Sequence, residues 1–333
     1  MKKTLKIIVV TLLLACVAAT VNAKKPVTKK TAGKKAVVIG VSQFVEHPAL
    51  NAVLWGFKDY LKENGVNVTY REYSAHGKIE QTGQVAAQIA SDKPNLILTL
   101  GTPSAEACAK VYGKAPQLAH TPMLFSAVSD PEAAGLVVDS MHPGPHITGV
   151  SDQMSMEKHL EMIRRFLPQL KKLGVMYNGG EKNSVANVKR LKEAAAKRNI
   201  TVVDAPVANS ANVSRVAQSL VGKVDAVYVP TDNTVVSAIE AVVKVCEQNR
   251  LPLFSGDIDT VKRGAIAALG FDYFLHGRQT AIMARKILAG TKVETLPVEF
   301  QNDLSFTINP KAAERMGLAI NKSELASATT VLK

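Results

Sequence analysis

From Ala36 onward, short apolar runs alternate with amphipathic stretches, and the alternation runs through two full series. "AVVIGV" has the unbroken apolar character of a strand covered on both faces. "ALNAVLWGFKDYLKENG" then puts Leu50, Val53, Leu54, Phe57 and Leu61 on one helical face, with Gly65 as a stop. "NVTYREY", a helix near Ile79–Ala90, "NLILTL", a helix near Ser104–Val111 and "PMLFSAV" complete the first series. The Pro- and Gly-bearing "MHPGPHITGVSD" is expected to connect two lobes. The second series follows: "KKLGVMYN", a helix from about Ser184 to Arg198, "ITVVDAPV", a helix near Val213–Leu220, "DAVYVP", a helix near Val235–Gln248 and "LPLFSGD". After "AIAALGFD" and a helix near Gln279–Leu288, "LSFTINPKAAERMG" reads as a last strand and a short helix. Strand–helix repetition of this kind specifies a parallel sheet with helices on both faces. The expected class is therefore α/β, with two doubly wound parallel-sheet lobes. A chain of 333 residues, 47% apolar, is large enough to bury both cores.

The N-terminal part does not belong to that pattern. "MKKTLKIIVVTLLLACVAATVNAKK" has a lysine-bearing start, an apolar run from Ile7 to about Ala19, and Val21-Asn22-Ala23, small at the positions a signal peptidase reads. This is the layout of a secretory signal, residues 1–23, cleaved after Ala23. Leu13-Leu14-Ala15-Cys16 also resembles a lipobox, in which Cys16 becomes a lipidated N-terminus at the outer face of a membrane. The net charge of +13 is mostly local, because residues 1–35 hold nine lysines and no acid, which leaves 13 − 9 = +4 for the rest. Residues 24–35 read as a solvated, Lys-rich flexible lead-in. No aromatic-interleaved basic patch follows, so nucleic acid is not an expected partner. Cys108 and Cys246 fall in apolar helical patterns of different lobes and are expected to be buried free thiols.

Two doubly wound lobes on an exported chain imply a cleft between them, and ligands of such sheets bind outside the carboxyl ends of the strands. Those ends are polar and small here: Ser42 and Gln43, Thr102 and Ser104, Ser126 and Asp130, Ser151 and Asp152, Tyr177, Asn178, Asn183 and Ser184, Thr231 to Asn233, and Ser255 and Asp257. Ser, Thr, Asp and Asn are also the preferred helix N-caps, so any one of them has an ordinary structural use. As a set they describe something more. Helix N-termini offer free N–H groups to a carboxylate, and Asp130, Asp232 and Asp257 offer negative charge to an ammonium. Together these suit an amino-acid zwitterion.

Six blocks carry a family resemblance: "GVSQFVEHPALNAVLWGF", "LFSAVSDPEAAGLV", "TGVSDQMSMEKHLEMI", "GVMYNGGEKNSV", "VYVPTDNTVVSAIEAV" and "FSGDIDTVKRGAIAALGFDYFLHGRQTAIMARKILAG". From about Val37 to Leu318 the chain resembles the substrate-binding proteins of ABC transporters with the type I periplasmic-binding fold, including members that take up tryptophan, phenylalanine or tyrosine. The resemblance implies two lobes joined by three hinge crossings, lobe one at 36–148 plus 274–299 and lobe two at 149–273 plus 300–333. It implies a periplasmic monomer that closes on its ligand and delivers it to an ABC permease, with no cofactor. Carried onto this sequence, Asp130, Asp232 and Asp257 are expected at the ammonium, and Thr102, Ser126, Asn183 and Ser184 at the carboxylate. Gln43, Glu46 and Tyr177 are expected along the side chain. Asp232 is expected to hold the ligand while Thr231 or Asn233 caps the following helix. With only 5% aromatic residues, stacking partners are few: Phe44, Phe125, Tyr177 and Phe271, of which Phe44, just past a strand end, is the best placed. A smaller apolar side chain such as leucine or valine stays open. "YNGGE" departs from the Tyr-Asn-Pro-Gly-Glu of the family, and "VYGKAPQLAHTP" is longer than expected.

Other chemistries find little support. His142 and His146 in "HPGPH" are four apart in a Pro/Gly loop rather than on a helix, which argues against a metal site. Glu46-His47 opens a helix, where a cap or a structural hydrogen bond competes with a ligand contact. "GGEKNS" lacks the spacing of a phosphate loop, there is no Gly-x-Ser-x-Gly, and no serine has an identifiable histidine partner, so an enzyme is not expected. The competing reading is an extracytoplasmic sensing module on the same fold. It differs from a transport receptor in its membrane partner, and loss of uptake in a knockout discriminates the two.

Overall fold

The computed structural model describes residues 36–112 and 114–333. The signal and the Lys-rich lead-in expected for residues 1–35 lie outside the described residues. The strands, in chain order, are β1 (Val37–Gln43), β2 (Val68–Ser74), β3 (Leu96–Leu100), β4 (Met123–Ser126), β5 (Ile147–Ser151), β6 (Lys172–Tyr177), β7 (Thr201–Pro206), β8 (Ala226–Val229), β9 (Leu253–Ser255), β10 (Ala267–Phe271), β11 (Glu299–Phe300), β12 (Leu304–Ile308) and β13 (Thr330–Val331). They form two sheets, ordered β11-β5-β4-β3-β1-β2 and β13-β12-β10-β9-β8-β6-β7. Among the described residues, pairing in the first sheet is parallel throughout, and in the second only the β10–β12 pairing is antiparallel, so that β12 and β13 run against the other strands. Each sheet carries its own apolar core. Central strands such as β3, "LILTL", are buried along their whole length because helices cover both faces.

Within the described residues the chain crosses between the sheets three times: after β5, between Phe271 and Tyr273, and between β11 and β12. The first crossing falls later than 148/149. Ile147–Ser151 pairs with β4 and β11 in the first sheet, so the Pro/Gly segment ahead of it is a loop within the first lobe. The crossings touch one another through Gln301. Its N–H donates to the Ser151 carbonyl at 3.4 Å, its side-chain amide donates to the Asp272 carbonyl at 3.3 Å, and its Oε1 meets His276 Nδ1 at 2.9 Å.

Two helices set the first lobe's side of the cleft. The helix Pro48–Glu63 buries the predicted Leu50, Val53, Leu54, Phe57 and Leu61. The helix Tyr273–Leu288 starts earlier than its periodicity suggests, because Asp272 caps it by accepting from Phe274 and Leu275 N–H. The two cross in backbone contact. A Cβ on Gly56 would lie 1.9 Å from the Phe274 carbonyl oxygen, and one on Gly277 1.9 Å from that of Val53. Only glycine permits this approach, and it holds Tyr273 beside the cleft. In the second lobe the helix expected over Val235–Gln248 is split into Asn233–Ser237 and Ile239–Gln248 at Ala238. There the Arg263 guanidinium bonds the carbonyls of Val236 and Ser237, taking acceptors that a continuous helix would use internally. Cys108 and Cys246 are free and buried in separate cores. Among the described residues no helix is long and apolar enough to cross a membrane.

Candidate functional site

Strand ends of both sheets face a narrow cavity, with about 20 Å³ open to the centre of a water-sized sphere. The first lobe lines it with His47, Ala49 and Leu50 at the start of their helix, with Ala127 and Ser129 beyond β4, and with Tyr273. Asp152 contributes from the first crossing. The second lobe supplies Asn183, then Thr231, Asp232, Asn233 and Val236 beyond β8, and Asp257 beyond β9.

The helix Pro48–Glu63 enters the cavity wall without a side-chain cap, and its first residue is a proline with no N–H. The amides of Ala49 and Leu50 come next, with no carbonyl one turn earlier to accept them. With the helix dipole behind them, they suit a carboxylate. The acids lie elsewhere on the wall. Asp152 accepts from the Ser129 hydroxyl and from the Tyr273 hydroxyl, each at 2.9 Å. Asp257 is buried and accepts from the Asp259 N–H at 2.9 Å through Oδ1. Burial, with the Asp259 charge nearby, pushes the Asp257 carboxyl up to about 7. Asn183 donates to the Thr231 carbonyl at 3.1 Å, while its Oδ1 is buried without a partner among the described residues. The cavity thus holds acceptors with spare capacity as well as free amide donors.

Asp232 is different, and the expected division of labour in "TDN" is reversed. Asp232 is itself the cap, accepting from Val235 N–H at 2.7 Å. Its other oxygen accepts from Asn178 N–H and from the Ser184 hydroxyl, both at 2.6 Å. Beside it Glu181 is wholly buried and takes four donors: the N–H and side-chain amide of Asn233, and the N–H and hydroxyl of Thr234. Burial and the neighbouring Asp232 push Glu181 up to about 7, and burial raises Asp232 as well. The pair fastens the start of the Asn233–Ser237 helix to the loop after β6. The glutamate that ends "YNGGE" is therefore a structural anchor.

Of the residues expected at the site, Asn183, Thr231, Asp232 and Asp257 line the cavity, whereas Ser42, Gln43, Phe44, Thr102, Ser126, Asp130, Tyr177 and Ser184 are not part of its lining. The reasons are specific. Phe44, Phe125 and Phe271 are buried in the cores, so core packing replaces the stacking expected at Phe44. Tyr177 packs, partly buried, on the second core. The Gln43 amide is held by the Val45 carbonyl and Asn51, and Ser126 pairs with Thr280. Ser42 faces the Cys108 thiol, and Thr102 is buried at the start of its helix. Glu46 meets His76 at the surface. Asp130 accepts from the Arg190 guanidinium at 2.7 Å, a bond between the two lobes. Among the polar wall residues, Ser129 and Tyr273 carry no expected role from sequence, and for His47 a cap or a structural hydrogen bond competes with a ligand contact. His47 opens a helix and Ser129 lies in a polar strand-end block, which are weak signals for a site. Tyr273 carries none, because it sits past a strand end that reads as the cap of a helix.

Direct bonds close the cleft. Besides Arg190–Asp130, Lys182 pairs with Glu106, His47 Nε2 lies 3.4 Å from Asn233 Oδ1, and the Ser129 and Thr231 hydroxyls are 3.3 Å apart. Two doubly wound lobes, three touching crossings and a cavity between the lobes define a type I periplasmic-binding protein. The sequence profile of the ABC transporter substrate binding protein family matches residues 38–332, and the chain belongs to that family. Its members bind small ligands outside the cytoplasm and work with an ABC transporter. A tyrosine-binding protein of Clostridioides difficile is 37% identical over 285 residues, 84% of this chain and 81% of its own length. A Vibrio cholerae conserved domain protein superposes with a TM-score of 0.85 at 38% identity, covering 90% of this chain and 100% of the other. A Streptococcus pneumoniae domain in complex with L-Trp gives 0.84 at 29% identity, over 89% of this chain and 100% of the other. The ligand-free, open structure of a Clostridium difficile substrate-binding protein with adhesive properties gives 0.66 at 37% identity, over 90% of this chain and 99% of its own. The overlay is better with the L-Trp complex than with the open protein, despite the lower identity. That agrees with the lobe-to-lobe bonds seen here.

Proposed function

We propose that this protein captures an aromatic L-amino acid between its lobes and delivers it to an ABC importer. The observation that carries the reading is the cavity itself. It sets the free amides at the start of the Pro48–Glu63 helix in one wall with Asp152, Asp257 and the spare Asn183 Oδ1, a complement to a zwitterion. The carboxylate goes to the Ala49 and Leu50 amides and the ammonium to Asp257 and Asp152, while Leu50, Val236 and the Tyr273 ring receive the side chain. Asp232 lines the cavity but spends its oxygens on Asn178, Ser184 and Val235, Asp130 is paired with Arg190 across the cleft, and Phe44 packs in the first core. The tyrosine-binding relative and the L-Trp complex favour an aromatic ligand. On this reading the protein is exported by the signal at residues 1–23 and acts in the periplasm as a monomer.

A thermal-shift screen of refolded mature protein against the twenty L-amino acids tests the proposal. A ligand at 100 times its Kd stabilises by about 2.7 kcal/mol, and the expected hits are among tyrosine, tryptophan and phenylalanine. A shift with none of the twenty overturns the amino-acid reading.

A further inference from the structure

His47 lines the cavity and is 7% exposed, with its Nδ1 buried and without a partner among the described residues. It opens the helix Pro48–Glu63 but does not cap it, so the ring has no local structural use for that nitrogen. Burial holds His47 at about 4, which leaves the imidazole neutral at neutral pH, with one nitrogen a donor and the other an acceptor.

Which is which follows from a chain of bonds across the cleft. The Asn233 side-chain amide donates to Glu181 Oε2 at 2.6 Å, and the Glu181 carboxyl takes three further donors. The nitrogen of that amide is thereby committed, so Asn233 turns its oxygen, an acceptor, toward His47 Nε2 at 3.4 Å. Nε2 must carry the proton. Nδ1 then bears the lone pair, a buried and unsatisfied neutral acceptor on a residue of the cavity wall.

We propose that His47 is a specificity-determining residue whose Nδ1 accepts a hydrogen bond from an O–H or N–H on the ligand's side chain. The inference rests on the amino-acid reading above. The ligand's ammonium does not need this nitrogen, because the Asp152 carboxylate, and Asp257 once the ammonium has displaced its proton, are stronger acceptors than a neutral ring. Neighbouring Leu50 and Val236 are apolar, so a donor arriving at this part of the wall finds His47 as its acceptor. Tyrosine and tryptophan bring such a donor, and phenylalanine brings none. Glu181 acts through Asn233 as a positioning residue for the tautomer.

Calorimetry of tyrosine, tryptophan and phenylalanine with the wild-type protein and His47→Leu tests this. An acceptor left buried and unpaired is expected to weaken phenylalanine by about 10- to 100-fold relative to the better of the other two. In His47→Leu that ratio collapses to within about threefold, through weaker tyrosine or tryptophan binding. Nitrogen-15 spectra of the wild-type histidines supply a readout that needs no variant. Nδ1 of His47 is unprotonated before ligand is added, and its signal shifts with tyrosine or tryptophan but not with phenylalanine. Phenylalanine binding as tightly as the others, an unchanged ratio in His47→Leu, or a protonated Nδ1 overturns the role of His47 and leaves the aromatic site standing. Binding of none of the three overturns both.

Discussion

Asp232 and Asp257 follow neighbouring strands, β8 and β9, both are buried, and both line the same cavity. Their oxygens are used in opposite ways. Asp232 is saturated by donors from Asn178, Ser184 and Val235, whereas Asp257 takes the Asp259 N–H and keeps its second oxygen available among the described residues. An acid at a strand end can therefore be a fastening or a binding group, and what separates them is whether distant chain has already claimed the carboxylate.

The largest expected effect breaks the fastening. Asp232→Ala removes a cap and strands two more donors, which should cost about 2–4 kcal/mol of stability by chemical denaturation. If the variant is as stable as wild type yet binds nothing, Asp232 belongs with Asp257. The next effect sharpens the other side. Asp257→Asn should weaken the ligand by about 10- to 100-fold, because an ion pair to the ammonium is lost, without loss of stability. Wild-type affinity in that variant would remove Asp257 from the site.

The raised Asp257 pKa gives this comparison a pH signature. The folded state holds the proton up to about 7, against 3.8 for the ordinary side chain. Its contribution to stability is thus complete below the unfolded value and lost as pH rises toward 7. Glu181 adds a slope of the same sign between 4.5 and about 7. His47 and His159, both lowered to about 4 by burial, act oppositely: their contribution is present above 6.5 and lost as pH falls through 4. Asp257→Asn should flatten the fall toward neutral pH. An ammonium arriving at Asp257 should also expel its proton, so calorimetry at about pH 6 in buffers of different ionisation enthalpy should record release of up to about one proton. Asp257→Asn should record none, and an equal release in that variant refutes the assignment.

The smallest effect concerns Asp130, the third expected acid, which lies neither in the saturated network nor on the cavity wall. Its partner Arg190 is part-exposed, so the pair is discounted to less than about 1 kcal/mol. Arg190→Met should weaken ligand binding by less than about fivefold, most clearly at low salt, through a less stable closed state. A loss as large as that of Asp257→Asn would make Asp130 a direct ligand contact.

Much of this molecule is legible in its sequence. The two βα series, the buried strands and the apolar face of Pro48–Glu63 follow from periodicity, which is local. Thr231, Asp232, Asn183 and Asp257 reach the cavity because the carboxyl ends of a parallel sheet converge on one side. The expectation for Phe44 fails because a position just past a strand end does not say which way a ring turns. Tyr273 is not legible at all, since its place depends on the glycine contact between two helices far apart in the chain.

Residue spacing within single elements is enough to set the alternation of strands and helices, the two-lobed class and the side of each sheet on which a ligand must bind. Packing alone chose which polar groups are claimed and which are left over. Asn178 and Ser184 reach Asp232 from 54 and 48 residues away, Arg190 reaches Asp130 across the cleft, and Glu181 fixes Asn233. A carboxylate binds whichever donors the packed chain brings within about 3 Å, and only folding brings them.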